Sequence, residues 1–193
     1  MSQRLRRWLL VLLLLGGVAP AGAQRTDETT VHAAYLVNFL RYAHWPEGDT
    51  RSRWVIAVIG SREAADDVAA VVRRVPEIDG RRIVVRHVGV VPVAPHRDVS
   101  LAALERSLAG AHMVYVASSH ASWHAAVVEA TVGEPVLTVG AGAGFVAAGG
   151  MFELFPDGGH VYFGANSAAI AVAPVRVSAR VVNLARPLPR RDG

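Results

Sequence analysis

The sequence predicts an α/β fold: one domain with a mostly parallel sheet, helices on both faces, and a C-terminal β-hairpin followed by helices. Between residues 53 and 139, short apolar runs typical of buried strands alternate with amphipathic helical stretches, which is the pattern of βαβ units. Near the end, the turn sequence Pro156-Asp157-Gly158-Gly159 separates two short β-type runs. A length of 193 residues, 52% of them hydrophobic, suits one packed domain.

The first predicted element is a helix at residues 26–44. Thr26 or Asp27 can cap its N-terminus, and Trp45-Pro46 ends it because the residue before a proline is disfavoured in the α conformation. Apolar residues cover most of its helical wheel. Such a helix is either buried on several sides or covered by another chain.

The remaining elements follow from hydrophobic periodicity and turn residues. Strands are predicted at residues 54–59, 83–88, 112–117, 135–139, 151–155 and 160–163. Helices are predicted between the capping residue Ser61 and Pro76, and at residues 101–108, 120–131, 167–173 and 177–185. We expect the domain to cover residues 26–186 and to be followed by a disordered tail at 187–193.

The N-terminus has the three parts of a secretory signal peptide. Arg4, Arg6 and Arg7 precede an apolar run, and small residues, Ala21 and Ala23, occupy the −3 and −1 positions of a cleavage site. The apolar run is much shorter than the ~20 residues that span a bilayer. We therefore expect residues 1–23 to be a cleaved signal peptide and the mature protein to reach the periplasm.

Most of the net charge belongs to this signal. The full chain has 20 basic and 16 acidic residues, and loss of three arginines leaves 17 basic residues against the same 16 acidic ones. A near-neutral domain lacks the electrostatic attraction for nucleic acid, so we expect no nucleic-acid partner. All basic residues are arginines and cysteine is absent, which excludes lysine and cysteine nucleophiles, thiolate zinc sites and disulfides.

Two clusters could suggest a phosphate or metal site. The stretch 140–144 reads Gly-x-Gly-x-Gly, which departs from the dinucleotide-binding pattern, and we interpret it as a structural turn. His120 and His124 would share a face of the predicted helix, with His112 upstream. The zinc-protease pattern has a glutamate where this chain has Ala121, so we favour an ordinary, half-exposed helix face.

A third cluster, Ser118-Ser119-His120, lies between a predicted strand and a predicted helix. It lacks the glycines that flank a nucleophilic serine at that kind of turn, and a serine there more simply caps the helix. No pair of carboxylates has a spacing that indicates general acid–base chemistry. We therefore predict no catalytic, cofactor-binding or metal-binding residue, and we do not expect an enzyme.

Motifs along the whole mature chain resemble the YfiR family of periplasmic regulatory proteins. Members open with a helix that carries an Asn-Phe pair and runs into a Trp-Pro corner, as this chain does. Later positions also match, around Gly80, residues 137–140, Phe163 with Asn166, and residues 177–185. The motif positions, structural or at an interface, are Asn38, Phe39, Trp45, Pro46, Gly144, Phe145, Gly149, Gly150, Met151 and Ser178.

The resemblance implies a parallel α/β sheet flanked by helices and a non-catalytic regulatory role. The best-understood relatives bind the periplasmic sensor region of an inner-membrane diguanylate cyclase. An outer-membrane lipoprotein can sequester them, so that envelope signals alter cyclic di-GMP and biofilm formation. A sensor kinase is the other inner-membrane partner to consider, and a homodimer formed through the first helix is compatible with this role.

The chain departs from its relatives in two respects. Some relatives carry disulfides that report redox state, which a chain without cysteine cannot do. Gly164-Ala165 stands where relatives often have Glu-Ile, and Pro174-Val175 where they often have Gly-Leu. We therefore expect the last helix to enter at a different angle.

Among the motif residues, we interpret Asn38 as a buried hydrogen-bonding group and Trp45 as a residue that packs at a corner. Gly149 and Gly150 supply backbone freedom before the hairpin.

An alternative function stays open. Parallel α/β sheets bind ligands at the carboxyl ends of their strands, where the loops after Gly60, Ala117 and Gly140 would meet. The chain would then be a small-ligand-binding module or a cryptic hydrolase, with Ser118, Ser119 or His120 in its site.

Overall fold

A seven-stranded sheet organises the protein. The structure is a computed structural model that describes residues 21–89 and 99–189, with side chains for 28–89 and 101–189. Most of the predicted signal peptide lies outside these ranges. The strands are β1 Ala43–His44, β2 Arg53–Ile59, β3 Glu77–Ile78, β4 Arg81–Val88, β5 Met113–Val116, β6 Leu137–Ala141, β7 Phe152–Asp157, β8 His160–Ala165 and β9 Arg176–Val177. The helices are α1 Ala21–Arg41, α2 Arg62–Val72, α3 Val99–Leu108, α4 His124–Ala130, α5 Ser167–Val172 and α6 Ala179–Val182, with a 3₁₀ helix at Ser118–Trp123.

The strand order confirms the predicted fold class. The sheet runs β3-β4-β2-β5-β6-β7-β8, and its five central strands are parallel. β7 and β8 form the antiparallel hairpin that the turn at residues 156–159 predicts. A separate two-stranded ribbon pairs β1 with β9, so it joins the end of the first helix to the C-terminal region.

Two clusters of buried side chains use alternate residues of the same strands. In β2, Ile56 and Val58 belong to the cluster packed with α1 and α2, whereas Ala57 and Ile59 belong to the cluster packed with α3 and α4. Because successive side chains of a strand point to opposite faces, the two clusters lie on opposite faces of the sheet.

The helix α2 forms where the sequence predicts it. The Ser61 hydroxyl accepts a hydrogen bond from the Ala64 N–H at 3.1 Å, which caps the helix. Ala65, Val68 and Val72 are its buried residues and share one face.

The first helix differs from its predicted bounds at both ends. It begins at Ala21, so Thr26 and Asp27 lie inside it and neither caps it. It ends at Arg41 rather than at residue 44, because Ala43 and His44 leave the helix to pair with β9. The predicted cleavage after Ala23 would remove its first three residues.

The predicted α-helix at 120–131 is wrong in its first third. Residues 118–123 form the 3₁₀ helix, with non-helical backbone angles at His120, and α4 begins only at His124. The His120 N–H donates to the Ala117 carbonyl at 2.8 Å. This hydrogen bond joins residues three apart and closes a 3₁₀ turn, which is tighter than a turn of α-helix. No serine side chain caps this helix, so the predicted capping is also wrong.

The C-terminal region is less helical than the sequence predicts. Only Ala179–Val182 of the stretch 177–185 is an α-helix, because Val177 pairs with Ala43 in the ribbon. The Ser178 hydroxyl accepts from the Arg180 N–H at 3.4 Å, and the Ser178 N–H donates to the Tyr42 carbonyl at 2.9 Å. Ser178 therefore caps the short helix and ties it to the end of α1.

Candidate functional site

One side of α1 and of the turn that follows it is exposed, and we call four residues of this side the α1 stripe: Val31, Ala34 and Asn38 on the helix and Tyr42 directly after it. They follow at intervals of three or four positions, so they line up along one face. The large members keep a substantial exposed fraction, 40% for Val31 and 41% for Tyr42. The helix is therefore buried on several sides but not all round, and the side left over is part apolar and part polar.

Asn38 lies in this stripe, and its interpretation as a buried hydrogen-bonding group is wrong. Asn38 is exposed, whereas the adjacent Phe39 is 1% exposed. The Phe39 ring stacks on Phe152 at 4.4 Å between centroids and meets Phe163 edge-on at 5.1 Å. The Asn-Phe pair therefore divides its roles: phenylalanine fixes the helix to the sheet, and asparagine faces outward.

A buried polar pair joins the other side of α1 to the middle of the sheet. His32 Nδ1 and Tyr115 Oη share a hydrogen bond of 2.8 Å. Burial lowers the pKa of His32 to about 4, so the imidazole is neutral near pH 7. Burial, and then the charge of Glu28, raises the pKa of Tyr115 above its usual value. This pair holds α1 in register on β5, a role that sequence periodicity did not suggest.

The Trp-Pro corner is held by aromatic packing. The Trp45 indole N–H donates to the Pro135 carbonyl at 2.8 Å, and its ring lies 4.8 Å from that of Trp54 and 5.4 Å from that of His112. Pro46 is exposed. Trp45 thus connects the chain that follows α1 to the segment that precedes β6.

Directly after this corner, Asp49 is the centre of a charged cluster that the sequence did not reveal. Its carboxylate accepts from Arg51 Nε at 2.6 Å, Arg81 Nη1 at 3.0 Å and His112 Nε2 at 3.1 Å. Burial raises the pKa of Asp49, but the hydrogen bonds from Arg51 and His112 and the charge of Arg51 more than offset this and hold it well below its ordinary value. The cluster fixes the loop before β2.

His112 has a defined tautomer in this cluster. It is fully buried, and its Nδ1 accepts from the Val55 N–H at 3.1 Å, so the proton is on Nε2, which faces Asp49. Burial, and then the charge of Arg51, lowers the pKa of His112 despite the opposing effect of Asp49. A neutral histidine with both nitrogens engaged is a structural group rather than a free base.

The glycine-rich stretch is filled by the protein itself. The Gly144 and Val146 N–H groups donate to Oε2 of Glu153, at 3.1 and 2.9 Å, and this carboxylate is 3% exposed. The Phe145 ring occupies the space that a side chain on Gly140 or Gly150 would need. The backbone donors that might have held a phosphate thus hold a carboxylate of β7, in agreement with a structural role.

Two further motif residues lie beside this stretch. Gly149 has a φ of +103°, a conformation that favours glycine. The Met151 N–H donates to the Thr138 hydroxyl at 3.1 Å, and Met151 is buried. Both serve the connection from β6 to β7.

The three histidines considered as candidate metal ligands, His112, His120 and His124, do not lie together at one site. His112 and His120 lie at opposite ends of β5, and His124 is buried with its ring 4.9 Å from Phe145. Among the described residues, no group of three His, Cys, Asp or Glu is placed to hold a metal ion. Ser119 Oγ and His120 Nδ1 share a 2.9 Å hydrogen bond, but these neighbours are both on the 3₁₀ helix.

A cavity lies at the end of the sheet opposite to the loops after Gly60, Ala117 and Gly140. It has a volume of about 390 Å³ and is lined by residues that precede strands, among them Arg51, Ala111 and Pro135. Its carboxylates, on Glu105, Glu129 and Glu134, are all on exposed residues. It is not the crevice that the ligand-binding alternative requires.

Comparison with models of known protein families shows to which family the chain belongs. The model of the YfiR/HmsC-like family matches residues 29–186, from the middle of α1 to the fourth residue after α6. The chain belongs to the YfiR/HmsC-like family. No curated protein matches it closely enough to name a nearer relative.

The YfiR/HmsC-like family is one of periplasmic regulators connected with cyclic di-GMP signalling, and its members are generally non-catalytic. Within residues 21–89 and 99–189, no helix has the length and apolar character needed to cross a membrane. The family match spans all ten motif positions, of which Phe39, Phe145 and Met151 are core residues and Asn38 and Pro46 are exposed.

Proposed function

We propose that this protein binds the periplasmic sensor region of an inner-membrane signalling protein, most simply a diguanylate cyclase, and thereby modulates cyclic di-GMP and biofilm formation. A sensor kinase would offer the same kind of target. Membership of the YfiR/HmsC-like family and the predicted export signal support this role.

The observation that carries the proposal is the α1 stripe. Val31, Ala34 and Asn38 are exposed on α1 and Tyr42 directly after it, while the buried part of the helix is fixed by Phe39 and by the His32–Tyr115 pair. Binding sites are more precise when their side chains are presented on a rigid element than on a loop. Asn38 is a motif residue, but it is exposed and does not contribute to the core. A contact with a partner protein would explain why it belongs to the motif.

The mechanism is a shift of population. A bound regulator lowers signalling if it binds the inactive arrangement of the sensor more tightly than the active one. Moving the sensor from about 10% to about 90% inactive requires a difference in affinity of roughly 80-fold. An outer-membrane lipoprotein that occupies the same stripe would release the sensor by competition.

The test replaces one of two exposed helix alanines with arginine, one inside the α1 stripe and one outside it. Ala34, in the stripe, and Ala103, on α3, are both exposed helix residues. In a strain lacking the gene, we expect wild type and Ala103→Arg to restore the cyclic di-GMP level and Ala34→Arg to fail. Equal amounts of each protein in the periplasm are the control. If deletion leaves cyclic di-GMP and biofilm unchanged, the proposed role is wrong.

The same pair of variants tests a homodimer through α1. Sedimentation velocity of wild type, Ala34→Arg and Ala103→Arg separates the cases: a dimer through the stripe is lost only in Ala34→Arg. An assembly that survives Ala34→Arg is formed elsewhere.

A further inference from the structure

The outer edge of β8 is covered by the end of the chain. β8 is the last strand of the sheet and pairs on one side with β7. On its other side, the Phe163 carbonyl accepts a hydrogen bond from the Arg186 N–H at 2.8 Å. We call residues 186–189 the strap. Because edge strands present unpaired backbone groups that other chains can bind, the strap covers a surface that would otherwise be open to strand addition.

Two side chains of the strap meet matching features of β8. The Arg186 guanidinium lies 3.5 Å from the centre of the Tyr162 ring, a cation–π contact. Two residues on, Leu188 lies over Gly164, where a Cβ atom would be 2.5 Å from Leu188 Cδ2. The absent side chain of Gly164 thus makes the space that Leu188 fills, and the strap runs along β8 in the same direction.

The sequence of the strap suits an extended segment with few backbone contacts. Pro187 and Pro189 flank Leu188, and proline favours an extended conformation and donates no backbone hydrogen bond. Arg186, Pro187 and Pro189 are exposed, and Leu188 is half-buried. The preceding Leu184 is 71% exposed. Within residues 186–189, the contacts with β8 are a backbone hydrogen bond, a cation–π contact and the packing of Leu188, few enough for another segment to replace them.

We propose that this edge is a recognition site for an extended Arg-x-Leu segment of a partner protein, with the strap as its resident, autoinhibitory occupant. The site comprises the Tyr162 ring, the Phe163 carbonyl and the space over Gly164, and it is separate from the α1 stripe. A partner segment of the same chemistry displaces the strap. Since a tethered occupant competes at an effective concentration of about millimolar, a free segment binds much better when the strap is disabled.

The probe is a labelled peptide with the sequence of residues 185–190, Ala-Arg-Pro-Leu-Pro-Arg. In the full chain, Arg186→Ala combined with Leu188→Asp disables the strap. We expect fluorescence anisotropy to show saturable binding to this double variant and at least tenfold weaker binding to wild type. Leu184→Asp, a change of an exposed leucine outside the strap, should behave as wild type. A peptide with alanine in place of its first arginine and its leucine should not bind.

Gly164→Ala provides the decisive control, because Leu188 is the neighbour its new methyl group would meet. Added to the double variant, it should remove peptide binding while circular dichroism and the thermal midpoint stay unchanged. Absence of saturable binding to the double variant, or equal binding to wild type, overturns the proposal. A wild-type dimer that the double variant abolishes would assign the edge to the tail of a second copy and would also overturn it. None of these outcomes depends on the α1 stripe, so they leave the proposed regulatory function to its own test.

Discussion

The ring of Phe39 lies almost parallel to that of Phe152, with 4.4 Å between their centroids and 13° between their planes. This contact joins the first helix to β7, far apart in sequence. Phe163 closes the group from β8, edge-on to both rings. The hairpin and α1 therefore share one aromatic core, and the outward face of α1 depends on it for its position.

Phe39→Ala should lower the free energy of unfolding by about 3–5 kcal/mol, because it removes a fully buried aromatic side chain and leaves a cavity. Urea denaturation followed by circular dichroism measures this. Phe39→Leu should cost less, since it retains most of the buried apolar volume. A loss below about 1 kcal/mol for Phe39→Ala would show that α1 is not held by this contact.

His32→Gln should flatten the dependence of stability on pH. The pKa of His32 is lowered to about 4 in the folded protein from 6.5, so the unfolded chain takes up the proton first. The contribution of His32 to the free energy of unfolding is therefore complete above pH 6.5. It decreases as the pH falls, and the decrease levels off near pH 4. Between these two pH values, the free energy of unfolding of the wild type should fall by about 3 kcal/mol through this group.

The measurement is urea denaturation of both proteins at several pH values between about 7 and 4. His160→Gln, at an exposed position beside the hairpin turn, is the matched control and should follow wild type. Parallel curves for wild type and His32→Gln would contradict a neutral, buried His32.

Glu153→Gln should destabilise the protein by about 1–3 kcal/mol. The charge of the buried carboxylate strengthens its hydrogen bonds from the Gly144 and Val146 N–H groups, and an amide accepts them less strongly. Glu129→Gln, an exposed change on α4, should stay within about 0.5 kcal/mol of wild type. Thermal and urea unfolding of both variants test this, and an unchanged Glu153→Gln would mean that the carboxylate does not organise the loop.

Local patterns predicted most of the regular elements. The apolar run at 54–59 and the capped, amphipathic stretch after Ser61 became β2 and α2 because propensity, capping and burial all favour the same structure there. They failed where the backbone turns more tightly than an α-helix, as it does before His120, and where a distant strand pairs with residues, as β9 does with Ala43 and His44.

The site was less predictable than the fold. On a helix with apolar residues nearly all round, periodicity alone does not show which narrow side is left uncovered, so the sequence predicts Asn38 in the core although it is exposed. Asp49 contacts Arg81 and His112, which lie 32 and 63 positions further along the chain. Only the strand order β4-β2-β5 brings these residues together. The resemblance to a family supplied the regulatory role, which no local pattern carries.

The most direct test of the account is capture of the partner from envelope extracts. Immobilised wild type, Ala34→Arg and Ala103→Arg would be incubated with detergent-solubilised membranes, and retained proteins identified by mass spectrometry. We predict that wild type and Ala103→Arg retain an inner-membrane diguanylate cyclase or sensor kinase and that Ala34→Arg does not. Equal retention by all three would contradict the α1 stripe as the binding surface, and retention of no such protein by wild type would contradict the proposed function.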